Sequence, residues 1–159
     1  MNEKMERVVR KLESAKKTIA TMESCTGGGF ANAITNIEGA SGVLKFSAVT
    51  YSNEFKIKMG VRKDTISEYT VYSKEVAKEM AYNISKFANS DYGIGITGKL
   101  RCQDENNQEG DNNLVYVSVY DKNNLKYYDY EYYVYKDSRE LNKEDIIIHI
   151  IDSLVDIIK

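Results

Sequence analysis

The stretch Glu23-Ser24-Cys25-Thr26-Gly27-Gly28-Gly29 sets two hydroxyls and a thiol beside three glycines. Glycines in such a run let the backbone approach a ligand closely. Where a turn like this joins a strand to a helix, the first helical amides are unpaired and the helix dipole adds partial positive charge. Both favour an anion, either a phosphate or the oxyanion of a tetrahedral intermediate. No lysine follows the glycines, so the pattern is not a Walker loop. No glycine precedes Ser24, so it is not the G-x-S-x-G elbow either. The same residues also make a plain tight turn capped by Ser24 or Thr26. Pattern alone leaves both readings open.

A serine nucleophile needs a base. His149 is the single histidine, and it shares a helix face with Asp152, Ser153 and Asp156, which predicts solvated surface rather than chemistry. A lysine of lowered pKa is the remaining familiar base for serine. The candidate is Lys56 in Tyr51-Ser52-Asn53-Glu54-Phe55-Lys56, whose plainer alternative is an exposed helix lysine. Cys25 is a second possible nucleophile, although a small buried residue is expected there. One histidine removes any site needing two His ligands, and no metal is expected. The acidic loop over 99–113 fails as a calcium site. With Gly110 at the sixth position, Tyr116 occupies the twelfth, where a bidentate Glu belongs.

These residues need elements to position them. Met5, Val8, Val9 and Leu12 recur at helical spacing and predict a helix over about residues 2–16. Thr18 to Met22 reads as a short buried strand. A helical pattern from Phe30 to about Asn36 follows, then a strand over about Phe46 to Tyr51. Ser52 or Asn53 caps a helix carrying Phe55, Lys56 and Met59. Ser73 caps a long helix striped by Val76, Met80, Ile84 and Phe87. Tyr92 to Thr97 alternates Gly with Ile, as in a tightly packed strand. Val115 to Tyr120 and Tyr127 to Tyr135 form a hairpin, and a last helix covers about Lys143 to Ile158. Tyr128, Tyr130, Tyr132 and Val134 share one strand face and are expected to pack, an exposed part of that face being a possible subunit interface.

This order predicts a single α/β domain over residues 1–159, a mixed sheet with helices on both faces. A chain of 159 residues with 42% hydrophobic and 29% charged content suits one soluble domain. A net charge of −2 argues against nucleic acid as a partner. No apolar run spans a bilayer, the first residues lack a secretory signal, and two cysteines, Cys25 and Cys102, give little reason for a disulfide. A cytoplasmic location is expected. With no proline at all, the turns must rely on Gly, Asn and Asp.

The segments Met22-Glu23-Ser24-Cys25-Thr26-Gly27-Gly28, Gly39-Ala40-Ser41 and Tyr51-Ser52-Asn53-Glu54-Phe55-Lys56 together resemble the CinA C-terminal family, also known as nicotinamide mononucleotide deamidases. Gly60-Val61, Val71-Tyr72-Ser73 and Gly95-Ile96-Thr97-Gly98 fit as well, so the resemblance covers nearly the whole chain. It implies a three-layer α/β/α fold in stand-alone form, without the extra N-terminal domain of larger relatives. It also implies hydrolysis of nicotinamide mononucleotide to nicotinate mononucleotide and ammonia, in pyridine nucleotide salvage. In that reading Ser24 is the nucleophile and Lys56 is the base and then the acid. Thr26 and the amides around Gly27 and Gly28 hold the oxyanion. Tyr51 and Asn53 position Lys56 or the pyridine ring, Thr97 and Gly98 complete the pocket, and Glu23 joins the substrate-binding set. The implied partners are a small nucleotide substrate and further copies of the chain, a dimer being favoured. No cofactor is implied.

One departure stands out. Where the family continues with a Gly-Pro-Gly loop, this chain reads Gly98-Lys99-Leu100-Arg101-Cys102-Gln103-Asp104. Lys99 and Arg101 are the residues placed to supply charge there. The alternatives are a nucleotide-binding or regulatory member without turnover, and a hydrolase of another small amide.

Overall fold

The computed structural model describes residues 1–101 and 105–159; Cys102 and Asp104 lie outside the described residues. Five strands form one sheet in the order β2-β1-β3-β4-β5. They are β1 (Ile19–Glu23), β2 (Leu44–Val49), β3 (Tyr92–Gly98), β4 (Leu114–Asp121) and β5 (Lys126–Tyr133). β1 runs parallel to both β2 and β3, and β3-β4-β5 is antiparallel. The helices are α1 (Asn2–Ala15), α2 (Gly29–Thr35), α3 (Asn53–Lys58), α4 (Lys63–Tyr69), α5 (Lys74–Ala88) and α6 (Arg139–Ile157). The α/β class and mixed sheet read from the sequence are those of the structure.

Two cores flank the sheet. On one face, Met5, Val8, Val9 and Leu12 of α1 meet Phe30 and Ile34 of α2 and the Ile146, Ile150 and Leu154 stripe of α6. Tyr128, Tyr130 and Tyr132 pack against this core, as expected. On the other face Val76, Met80 and Ile84 of α5 cover Ala20 and Met22 of β1. Burying each large apolar side chain contributes about 1.5–3 kcal/mol, so the α1 stripe alone anchors the first layer.

The Gly-Ile alternation of β3 has a steric cause. Ile94 and Ile96 face the α1/α6 core, while Gly93 and Gly95 face α5. A Cβ on Gly93 would meet the Ala81 carbonyl oxygen at 2.0 Å, and one on Gly95 the Ala77 oxygen at 2.2 Å. Backbone on backbone leaves no room for a side chain, and α5 lies against the strand.

Caps set the helix ends. The Ser73 hydroxyl accepts the Val76 amide at 3.2 Å, and α5 stops at Asn89 in the left-handed region (φ 49). The Ser52 hydroxyl accepts the Phe55 amide at 3.3 Å and starts α3. Ser138 does the same for α6 through Leu141. The last helix therefore begins at Arg139, four residues before the expected Lys143. The second strand also lies earlier than expected, at Leu44–Val49, and α4 was not anticipated.

The topology creates the site. From β1 the chain crosses to β2 with α2 on one face, then passes to the other side of β1 with α5 on the opposite face. Helices diverge here at the carboxyl end of β1, the switch point at which open α/β sheets form a crevice.

Candidate active site

Ser24 is the first residue past β1, and its amide is held by the Ile96 carbonyl of β3 at 3.0 Å. The turn after it is closed by the Gly27 amide on the Ser24 carbonyl at 2.9 Å and the Gly29 amide on the Thr26 carbonyl at 3.0 Å. Gly27 and Gly28 have φ of 59° and 90°, a region that favours glycine. These two glycines therefore shape the turn that presents Ser24.

Lys56 approaches from α3. It is 1% exposed, and its Nζ donates to Ser24 Oγ at 3.0 Å and to the Thr50 carbonyl at 2.7 Å. The Thr50 amide in turn donates to the Glu23 carbonyl at 2.8 Å. The Ser24 hydroxyl and the Lys56 amine are thus tied to the ends of two adjacent parallel strands, and the pair expected from sequence is brought together.

Glu23 has a different place from the one expected. Its side chain is fully buried, accepting the Thr26 hydroxyl at 2.6 Å and the amides of Phe30 and Ala31 at 3.0 Å each. The first amides of α2, expected to face an anion, are capped internally by this carboxylate. Glu23 braces the turn and does not line the cavity. Thr26, 1% exposed, directs its hydroxyl at Glu23 rather than at an oxyanion. The Gly27 amide is occupied by the Ser24 carbonyl. Thr97 is also turned inward: fully buried, it donates to the Val71 carbonyl at 3.0 Å. The amides of Cys25, Thr26 and Gly28 donate to no backbone carbonyl of the turn.

Ser24 opens into a cavity of about 720 Å³, within the ~300–1,000 Å³ typical of small-molecule sites. Tyr51, Asn53 and Gly98 line it, as expected; so do Cys25, Tyr72, Lys99, Asn107 and Arg139. A Cβ on Gly98 would lie 2.5 Å from the Val115 Cα, so a larger residue would push this wall off β4. Asn53 Nδ2 donates to Asn107 Oδ1 at 2.9 Å and joins the two sides of the mouth. Arg139, like Tyr72 and Asn107, is a lining residue that sequence reasoning missed. Ser138 as N-cap with Glu140 in the first turn was the available signal for an earlier helix start.

Of the two residues expected to supply charge, Lys99 lines the cavity. Arg101 turns away, donating to the Lys136 carbonyl at 2.7 Å with Asp137 at 3.8 Å. Cys25 is buried, as expected, and burial pushes its thiol up to about 12, with the neighbouring Lys56 pulling the other way. His149 is exposed and does not approach Ser24; its ring stacks on Tyr132 at 5.0 Å. Among the described residues no cluster of His, Cys, Asp or Glu is placed to hold a metal, and no helix is long and apolar enough to cross a membrane.

Fold and site together define a three-layer α/β domain with a serine–lysine pair at the carboxyl end of its parallel strands. Residues 1–158 match the CinA C-terminal domain model, and the chain belongs to that family. It is 52% identical over 98 residues to a Thermoanaerobacter pseudethanolicus protein named for competence-damage induction, a match covering 60% of this chain and 24% of that one. A CinA-like protein of Endomicrobium trichonymphae is 49% identical over 90 residues, 56% of this chain and 21% of that protein. The chain therefore spans about a quarter of the length of the curated relatives it matches. Among solved structures, a CinA superfamily protein from Klebsiella pneumoniae superposes with a TM-score of 0.88 at 22% identity, over 98% of this chain and 95% of that one. A competence or damage-inducible protein from Enterobacter asburiae gives 0.89 at 21%, over 99% and 98%. At these identities the solved structures speak for the fold.

Proposed function

We propose that this domain hydrolyses the carboxamide of nicotinamide mononucleotide through Ser24 and Lys56, releasing ammonia and nicotinate mononucleotide. The observation that carries the reading is the 3.0 Å contact between two buried side chains, Lys56 Nζ and Ser24 Oγ, at the wall of a cavity of nucleotide size.

The chemistry needs Lys56 as a neutral amine, and burial away from water disfavours the charged form of any lysine. Ser24 Oγ attacks the carboxamide carbon as its proton passes to Lys56 Nζ. The C=O π pair moves to oxygen, and the Cys25 amide, which donates to no backbone carbonyl of the turn, is our candidate donor to that charge. Collapse breaks the C–N bond, Lys56 returns the proton to the leaving nitrogen, and ammonia departs from an ester on Ser24. Water then attacks the ester while Lys56 takes its proton. Cleavage of the ester passes that proton back to Ser24 Oγ and frees the carboxylate.

The test is ammonia release from nicotinamide mononucleotide by the purified protein. Ser24→Ala and Lys56→Met should each lower kcat/KM by about 10³-fold or more, and a double variant should lose little beyond either single one, because the two act as a unit. The acid limb of the kcat/KM profile should rise with pH as the base loses its proton. Wild-type protein that binds the nucleotide without releasing ammonia defeats the proposal and leaves a binding protein.

A further inference from the structure

Lys99 is a lysine where lysines are seldom found. It is 3% exposed, in the wall of the Ser24 cavity. Among the described residues its Nζ donates to the Gln108 carbonyl at 3.3 Å and to Asn112 Oδ1 at 3.4 Å, and it lies 5.1 Å from the Tyr72 ring centroid. Both hydrogen bonds are long against the ordinary value of about 2.9–3.0 Å. Among the described residues no carboxylate comes within ion-pair distance of it. A cation withdrawn from water without an anionic partner is costly, and proteins keep one where a ligand completes the pair.

Arg139 faces the same cavity from the first turn of α6. Its only hydrogen bond among the described residues is to the Tyr51 hydroxyl at 3.5 Å, and it too lacks a carboxylate partner there. The acidic residue of the lining, Glu105, is exposed and screened by solvent. Two under-coordinated cations, one a point charge and one a planar fork, suit the several oxygens of a phosphate monoester.

We infer that Lys99, together with Arg139, is the phosphate-recognition pair of this cavity, and that Lys99 sets the preference for phosphorylated over uncharged ligands. This rests on the reading of the cavity as a nucleotide site, but not on turnover. The charge enters from the loop position at which the sequence departs from its family, directly after Gly98. Arg101, two residues on, takes no part because its guanidinium is committed to the carbonyls of Tyr135 and Lys136.

Binding of nicotinate mononucleotide and of nicotinate riboside, neither carrying an amide to hydrolyse, separates this inference from the hydrolase reading. Wild-type protein should prefer the nucleotide by about 10- to 100-fold, the worth of a charge-assisted hydrogen bond. Lys99→Met should bring that ratio to within about threefold, Lys99→Arg should retain most of it, and Arg101→Ala should leave it unchanged. Inorganic phosphate should raise the Tm of wild type and of Lys99→Arg. The inference is overturned if the wild-type ratio is within threefold, if Lys99→Met keeps the full ratio, or if it weakens both ligands equally. Should Lys99→Met fail to fold, the wild-type ratio decides together with competition by inorganic phosphate: displacement of the nucleotide supports the inference, and no displacement overturns it. Absence of ammonia release alongside a Lys99-dependent ratio would sink only the catalytic reading.

Discussion

The two walls of the cavity are built on different principles. The wall carrying Ser24 and Lys56 is made from strand ends and short-range turns, and nearly every polar group in it is tied to backbone. Ser24 is fixed through Ile96, Lys56 through Thr50, and the turn between them through Glu23. The opposite wall, lined by Gly98, Lys99, Asn107 and Arg139, lies beyond the end of β3 and at the start of α6. Among the described residues its side-chain contacts include Asn53 to Asn107, Arg139 to Tyr51, and the long bonds of Lys99. In the proposed reaction the first wall holds the atoms for bond-making, where small misplacements are expensive. The second, in the proposed reading, carries the charges of Lys99 and Arg139 that recognise the ligand.

The comparison breaks most sharply at Glu23. Glu23→Ala strips the Thr26 hydroxyl and the Phe30 and Ala31 amides of their shared acceptor inside the protein. Each buried donor left unpaired costs about 1–3 kcal/mol, so a loss of about 3 kcal/mol or more is expected, with kcat falling at least tenfold as the turn loosens. Chemical denaturation and ammonia release on the same preparation read both effects. Loss of stability with full kcat would show that the turn does not depend on its brace. Gly95→Ala is the next largest. Its methyl would meet the Ala77 oxygen at 2.2 Å, forcing α5 off the sheet. Overpacking of this kind costs about 1–3 kcal/mol, or several degrees of Tm in a domain of this size. A thermal melt equal to wild type would place α5 farther from β3 than described.

The same division decides what could be read from the sequence. The first wall was legible because local backbone rules govern it. Strand, glycine turn and Ser52 cap are short-range features, and Lys56 stood out as the partner of Ser24 because the single histidine lies on a polar helix face and because the 51–56 segment resembles the family's. Its inner details were not. Glu23 looked like a ligand contact beside the nucleophile, yet burial made it the cap of α2, and Thr26 and Thr97 likewise turned inward to satisfy their hydroxyls. A sequence gives the side-chain type, while the direction of the side chain depends on which neighbour needs a hydrogen bond. The second wall was largely opaque. Ser138 and Glu140 signal an earlier start of α6, but that Arg139 reaches the cavity depends on how α6 packs across α1 and α2, which is a tertiary fact. Lys99 and Arg101 were indistinguishable in the sequence and face opposite ways in the fold.

The mildest change probes the one reactive atom in the first wall that the chemistry does not use. Burial holds the Cys25 thiol at about 12, above its ordinary 9.0, so between those values the folded chain keeps a proton that the unfolded chain releases. The sign follows from linkage. The contribution of Cys25 to stability is intact below pH 9 and declines as pH rises toward 12, because unfolding alone gains the thiolate. A neutral, enclosed thiol is a poor nucleophile. Iodoacetamide should therefore label native Cys25 slowly, with little acceleration between pH 7 and 9, and should label it quickly once the chain is unfolded. Cys25→Ser should keep activity within about threefold at a cost of about 1 kcal/mol for enclosing a hydroxyl, and should lessen the alkaline loss of stability. Fast labelling of the folded protein with parallel loss of activity would move the nucleophile from Ser24 to its neighbour. The rigidity of the first wall would then serve the thiol instead.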